Sequence, residues 1–390
     1  MLPEGSVPAT EYRAARQTGR RTPDILFLAR YRNRDGKHFM CRETCLRIDR
    51  TTREQVQRAA IVALVAVLLC APLAAQMTCT TQAKMQPALR DALMSTAKML
   101  AAAVQANDAA KVRANTVAEY ATDFSATEFL IRSTSPKISG ENLLVSSVYG
   151  LDASSRKKDD TTDAEFSCPL TATMLETDFS IPGLPPGNYG FAVVDAVDGP
   201  QPWMLSFLLR QDGGVWKMAG FYQHAETAAG HDGLWYWKEA RAATQAKQPW
   251  AAWLLYGEAY ALLTPANFVQ STHLDKLAAE QRAVAPPELS NGIGKDAPLV
   301  VKGMNGAEFH FTGLSTDRSE DGTKVNIMLH LRAEPGADAP SARVRNEAAA
   351  AAFVKAHPEV RKDFQGVWVF AENDTQQPIA MTQRDMSQIP

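Results

Sequence analysis

No nucleotide-cradling GxxxxGK[ST] loop, Rossmann glycine fingerprint or GxSxG nucleophile elbow occurs in the 390 residues. Their absence argues against nucleotide-dependent chemistry and against the commonest hydrolase class. HExxH is missing as well, and no other compact ligand spacing calls for a metal or a cofactor. Basic charge is scarce over most of the chain. Residues 1–58 carry 12 Arg and one Lys against seven acidic side chains, yet the formal net charge of the whole is -2, so the remainder is acidic. An acidic body lacks the surface that displaces counterions from phosphates, which weighs against a nucleic-acid partner. Long apolar runs are lacking, with the single exception of residues 59–75. Cysteine is sparse: Cys41, Cys45, Cys70, Cys79 and Cys168.

The one apolar run, AAIVALVAVLLCAPLAA, separates the arginine-rich leader from the acidic body. Residues 59–69 are uninterrupted apolar, Pro72 ends any helix, and Leu73-Ala74-Ala75 places small residues before Gln76. With Arg42, Arg47, Arg50, Arg53 and Arg58 upstream, the stretch has the basic, apolar and small-residue parts of a secretory signal peptide. A spanning helix needs about 20 apolar residues, so a cleaved signal is expected, with an uncleaved membrane anchor as the alternative. Cys70 follows Val67-Leu68-Leu69, without the small residue that a lipoprotein signal places before its cysteine. Met40 would give the run an ordinary basic region, so residues 1–39 read as untranslated or disordered. Cleavage after the run would leave Cys79 and Cys168. An even pair in a periplasmic or secreted protein suggests one disulfide, the alternative being two free thiols.

The body reads as α+β: N-terminal helices plus a curved antiparallel sheet over 85–225, a helical hairpin over 233–285, and a small α+β domain over 298–390. Leu89, Leu93, Leu100 and Val104 share a face of a helix over 87–106. Asp108 is placed to cap a second helix running to about 124. Residues 133–142 and 152–163 read as loops flanking a strand over 143–149. Strands follow over 189–196 and 203–210. Gly213-Gly214 supplies a hairpin turn before a last strand over 215–224.

Two helices followed by a meander ending in PWMLSFLLRQDGGVWKMAGFY resemble the cone-shaped domains of the nuclear transport factor 2 superfamily. The resemblance covers roughly 85–225 and rests on element order and on the closing hairpin. It implies a curved sheet wrapped around a helix, with a pocket in the mouth. It carries over no catalytic residue, because the superfamily spans isomerases, dehydratases and non-catalytic binding domains. The segment 150–180 departs from the pattern and must be an insertion or an extra strand. Further on, WLLYGEAY is similar to the opening of a tetratricopeptide repeat, with Trp253, Gly257 and Tyr260 at the matching spacing and Tyr256 in place of Leu. No second copy follows, so a single helical hairpin is expected, its second helix opened by Pro249. After a Pro/Gly-rich linker, alternation predicts strands over 308–312 and 324–332. A polar turn over 315–322 joins them. A helix over 342–357 capped by Ser341 comes next, then strands over 367–370 and 378–382.

The sharpest chemical candidates are Asp195, Tyr222 and His224. Strand parity sets Tyr222 and His224 with Trp216 and Met218, and Asp195 with Phe191 and Val193. If those faces converge, His224 would act as a base oriented by Asp195, beside Tyr222. The plain alternative leaves all three at strand ends on the surface. His224, His231, Asp232 and Glu226 lack metal spacing, and His310 and His330 read as solvent-facing cross-strand neighbours. The sequence therefore points to an exported, non-enzymatic envelope protein that binds a small apolar ligand or a protein partner. Two alternatives are a cone-class enzyme using His224 and Asp195, and a membrane-anchored interaction protein that presents the aromatic hairpin.

Overall fold

The computed structural model describes residues 77–390, apart from 171, 172, 200, 335, 374 and 376. The leader and the 59–75 run lie outside the described residues. Among the described residues, no helix is long and apolar enough to cross a membrane. The chain is α+β, as its patterning implies.

Strand β1 (Thr78–Thr81) leads into helix α1 (Pro87–Gln105), whose first position holds a proline that needs no N–H partner. Leu93, Leu100 and Val104 are buried on one face of α1. Asp108 caps α2 (Ala109–Ala114), its carboxylate accepting from the Lys111 N–H at 2.9 Å. The single second helix expected from the sequence is broken. The Val117 N–H donates to the Met218 carbonyl at 2.9 Å, and the Met218 N–H donates to the Asn115 carbonyl at 2.8 Å. That bridge divides α2 from α3 (Ala118–Thr122) and α4 (Ser125–Thr134), and α4 lies beyond the expected end of the second helix, reaching two residues into the stretch read as a loop.

Strand β2 (Leu143–Asp152) pairs with β1. Strands β3 (Ala164–Pro169) and β4 (Glu176–Ile181) come next, then β5 (Asn188–Ala196), β6 (Trp203–Asp212) and β7 (Val215–Ala225). The first sheet is antiparallel in the order β1-β2-β5-β6-β7. Its closing turn has Gly213 and Gly214 at φ 58° and 84°, the left-handed pair that a two-residue hairpin demands. One face packs on α1 and α4 through Val148, Ala192, Val194, Leu205, Phe207 and Met218. Helix and strand approach so closely that a Cβ at Gly190 would collide with Leu93.

The other face is covered by a second sheet, β10-β4-β3, in which β10 is Val269–Ser271. Of its strands, β3 and nearly all of β4 fall in the segment 150–180, read from the sequence as an insertion or an extra strand. An edge-to-face chain of rings, Tyr149–Phe179–Phe191–Phe268–Tyr222, fills the space between the sheets, with centroids 5.1–5.6 Å apart. The loop before β3 is pinned from within by Arg156. Its buried guanidinium donates to the carbonyls of Asp160, Thr162 and Asp163 at 3.2, 2.7 and 3.3 Å. Cys79 on β1 and Cys168 on β3 are joined by a disulfide that ties the two sheets edge to edge.

A two-residue ladder of β8 (Thr227–Ala228) and β9 (His231–Asp232) precedes the hairpin of α5 (Gly233–Gln245) and α6 (Pro249–Leu263); α7 (Thr272–Ala283) follows β10. The hairpin is no spacer. It shares an apolar core with the last sheet, where Trp250 meets Phe353 at 5.9 Å and Phe353 meets Phe311 at 6.0 Å. Tyr236, Trp237, Trp250 and Tyr256 are buried there, so these rings form no exposed aromatic surface.

The last sheet runs β11 (Leu299–Lys302), β12 (Glu308–Arg318), β13 (Val325–Arg332), β14 (Gly366–Glu372) and β15 (Pro378–Asp385) in sequence order. Helix α8 (Ala339–Ala356) makes the crossover between β13 and β14, which are parallel. Asp338, rather than Ser341, caps α8, accepting from the Ser341 N–H at 2.9 Å. Strand β12 extends to Arg318, well into the stretch read as a turn, because Thr316, Asp317 and Arg318 pair with β13.

Replacing both Cys79 and Cys168 by Ala removes a link across 89 residues. Chain entropy predicts a loss of roughly 4 kcal/mol, read from urea unfolding midpoints. A loss below ~1 kcal/mol would mean that the sheets hold one another without the staple.

Candidate functional site

Register fixes where the predicted residues lie. Asp195 pairs with Met204, and Met204 pairs with His224. All three therefore share the face toward the second sheet. Tyr222 joins them, pairing with Ser206. Trp216 and Met218 do not, contrary to the parity read from the sequence. The ladder slips between Leu208 and Leu209, because Gly220 pairs with Leu208 while Met218 pairs with Leu209. Ala219 is an extra residue, and a bulge of one residue exchanges the two faces of everything beyond it.

The shared face does not bring Asp195 and His224 into contact. Met204 stands between them, so they are two strands apart, about 10 Å at strand spacing. Each has another partner. Asp195 faces Ser146, the extra residue of a second bulge in β2, and the Glu226 carboxyl just past β7. The His224 ring hydrogen-bonds the Leu262 carbonyl at the end of α6, and its Nε2 is buried without a partner. Burial, with Arg318 nearby, holds the imidazole below its ordinary value. Tyr222 ends the aromatic chain against Phe268, and burial pushes its phenol up to about 12. The expected base-and-orienter pair is not assembled.

A carboxyl pair is assembled instead. Burial, then the negative charge of Asp195 and the hydrogen bond that the neutral Glu226 carboxyl donates to it, hold the Glu226 carboxyl at about 7. Burial also raises Asp195. Two carboxyls this close cannot both ionise freely, so the last proton of the pair leaves only at about 7. In the sequence, Glu226 stands out only beside His224, His231 and Asp232, at a spacing unsuited to a metal. Among the described residues, no group of three His, Cys, Asp or Glu side chains is arranged to hold a metal ion. His231 stacks on Trp235 at 3.7 Å. His330 is not opposite His310; it pairs with Gly313 and bonds Glu372 at 2.6 Å.

A second titratable centre lies where α6 meets β12. Glu258 is the only charged residue of α6, and it is 3% exposed. Thr316 hydrogen-bonds its carboxyl, Arg318 and Asp317 act on it through their charges, and burial dominates to hold it at about 7. Leu262, which bonds His224, lies one turn further along α6 on the same side. One acid in an otherwise apolar helix was a signal available in the sequence, hidden among the aromatics of the hairpin.

Two clefts open elsewhere. One of 190 Å³ lies beside the start of α8, lined by Arg345 and Asn346. One of 740 Å³ surrounds Arg156 and Glu165. Neither is lined by Asp195, Tyr222, His224 or Glu226. The chain matches no protein-family model, no curated protein and no solved structure.

The carboxyl pair predicts that Asp195→Asn shifts the Glu226 midpoint from about 7 toward 4.5, since it removes a neighbouring negative charge. Carbon-detected NMR of the Glu side chains would follow it; an unmoved midpoint would leave burial as the only cause. Glu258 predicts a stability slope. The unfolded chain releases this proton near 4.5 and the folded chain near 7, so its contribution is complete below 4.5 and lost as pH rises to 7. Glu258→Gln should therefore flatten the slope and be more stable by on the order of 3 kcal/mol at about pH 8. Urea midpoints of the two proteins at about pH 5 and about pH 8 measure it.

Proposed function

We propose that the chain is an exported envelope protein, periplasmic or secreted, that acts by binding a small apolar ligand or a protein partner. The disulfide between Cys79 and Cys168 carries this reading. Bridges of this kind persist in oxidising compartments. These two are also the only cysteines beyond the 59–75 run, which has the composition of a signal sequence. Binding is favoured over catalysis because the acid and base candidates are engaged by their neighbours. Asp195 faces Ser146 and Glu226, His224 faces the Leu262 carbonyl, and Tyr222 is packed in the aromatic core. Helices on one face of an antiparallel sheet, closed by the Gly213-Gly214 turn, agree with the cone-like reading of 85–225. The second sheet stands as an addition to that pattern.

A second reading is a cone-class enzyme with Glu226, in place of His224, as its proton donor. The observation in its favour is the Glu226 carboxyl held at about 7, the range suited to general acid work near neutral pH.

Native mass spectrometry of the protein isolated from its own host tests the first reading. The expected species begins near Gln76, has Cys79 and Cys168 oxidised, and carries a bound small molecule or a partner chain. A product that retains Arg58, or one with both thiols free, would overturn the export assignment. A correctly processed protein with neither ligand nor partner would turn attention to the enzyme.

A further inference from the structure

The tip of the β12–β13 hairpin seats the last sheet on the N-terminal half. Gly322, at φ 68°, offers its carbonyl to the Ala229 N–H at 2.9 Å. A Cβ on Gly322 would collide with Gln201, whose amide donates to the Asp321 carbonyl. Arg318, at the end of β12, holds the seat from one side. Its guanidinium carbon lies 4.7 Å from the centre of the buried Trp203 ring, and its Nη1 donates to Gln201 Oε1 at 3.3 Å. From α6, the Glu258 carboxyl acts on the same guanidinium. One cation thus rests on an indole and an amide and lies within the field of a buried carboxyl. A neutral carboxyl competes weakly for a guanidinium, whereas a carboxylate competes strongly through charge-assisted hydrogen bonds.

We propose that this junction is a proton-operated clasp. While Glu258 is protonated, Arg318 stays on Trp203 and Gln201 and the hairpin tip remains seated. When Glu258 ionises, Arg318 transfers to the carboxylate and the tip is released. The other groups around the pair are Tyr236 of α5, Asp317 on β12, Asp321 in the turn, Lys137 before β2 and His224 on β7. Lys137 lies 4.6 Å from the same Trp203 ring, so the indole keeps a cation when Arg318 leaves. His224, held below its ordinary value, is uncharged through the neutral range and does not compete. Burial sets the Glu258 proton to leave at about 7, so the clasp responds near neutrality. This goes beyond the binding-protein reading and holds whether or not the chain is exported.

Hydrogen exchange by mass spectrometry on the full chain tests the clasp, with intrinsic rates corrected for pH. Peptides covering 199–204 and 319–324 should lose protection about ten-fold between pH 6 and pH 8, most of it below pH 7, the change expected when one proton leaves a group held at about 7. In Glu258→Gln both segments should stay protected at either pH. An identical pH response in Glu258→Gln, or no response in the unaltered protein, would overturn the proposal. Trp203→Leu gives an independent check should Glu258→Gln fold poorly. It removes the indole and should release both segments at about pH 6 as well as at about pH 8. Protection equal to the unaltered protein at the lower pH would sink the idea.

Discussion

One residue too many in β7 organises the N-terminal half. Ala219 has no place in the ladder with β6, so the strand beyond it presents opposite faces to those before it. Trp216 and Met218 reach the helix side, and Tyr222 and His224 reach the second sheet. Without the slip, the imidazole would point into the apolar layer beneath α1. With it, His224 meets the end of α6, and Tyr222 closes the aromatic chain at Phe268. The disulfide closes the opposite edge of that interlayer space. The central sheet is thereby buried on both faces, and its polar side chains are left to the strand ends.

Those ends hold titratable groups that face one another more than they face water. Asp195 and Glu226 face one another at one end, and Glu258 stands a helix turn from Leu262, which His224 contacts. Ionising a buried carboxyl costs free energy that only an aligned cation offsets. Each cluster is therefore settled at one pH and unsettled at another.

Local signals in the sequence were legible where one residue acts alone. Pro87 and Pro249 open helices, Asp108 caps one, and Gly213-Gly214 turns a hairpin. The alternation of β13 and the α+β class followed from periodicity. Signals failed where a distant segment decided. β3 and β4 are short and flanked by polar loops, and they become a sheet layer only because β10 arrives some 90 residues later. The break after α2 comes from hydrogen bonds to Met218, and the polar end of β12 is a strand because β13 runs beside it. Of the candidate site, residue identities were legible and adjacency was not. Asp195, Tyr222 and His224 share a face, but the carboxylate partner is Glu226.

The sequence by itself determined the elements whose signals are local, since turn glycines, helix-opening prolines and periods of two or near four depend on neighbours along the chain. It also determined which cysteines remain beyond the apolar run. Only the tertiary structure decided that those two cysteines meet and that a bulge turns His224 away from the helices. It alone brought a glutamate in an apolar helix within electrostatic reach of the arginine of a distant strand. Each depends on register and on packing between segments far apart in the chain, and a single extra residue changes register without leaving a mark in composition or periodicity.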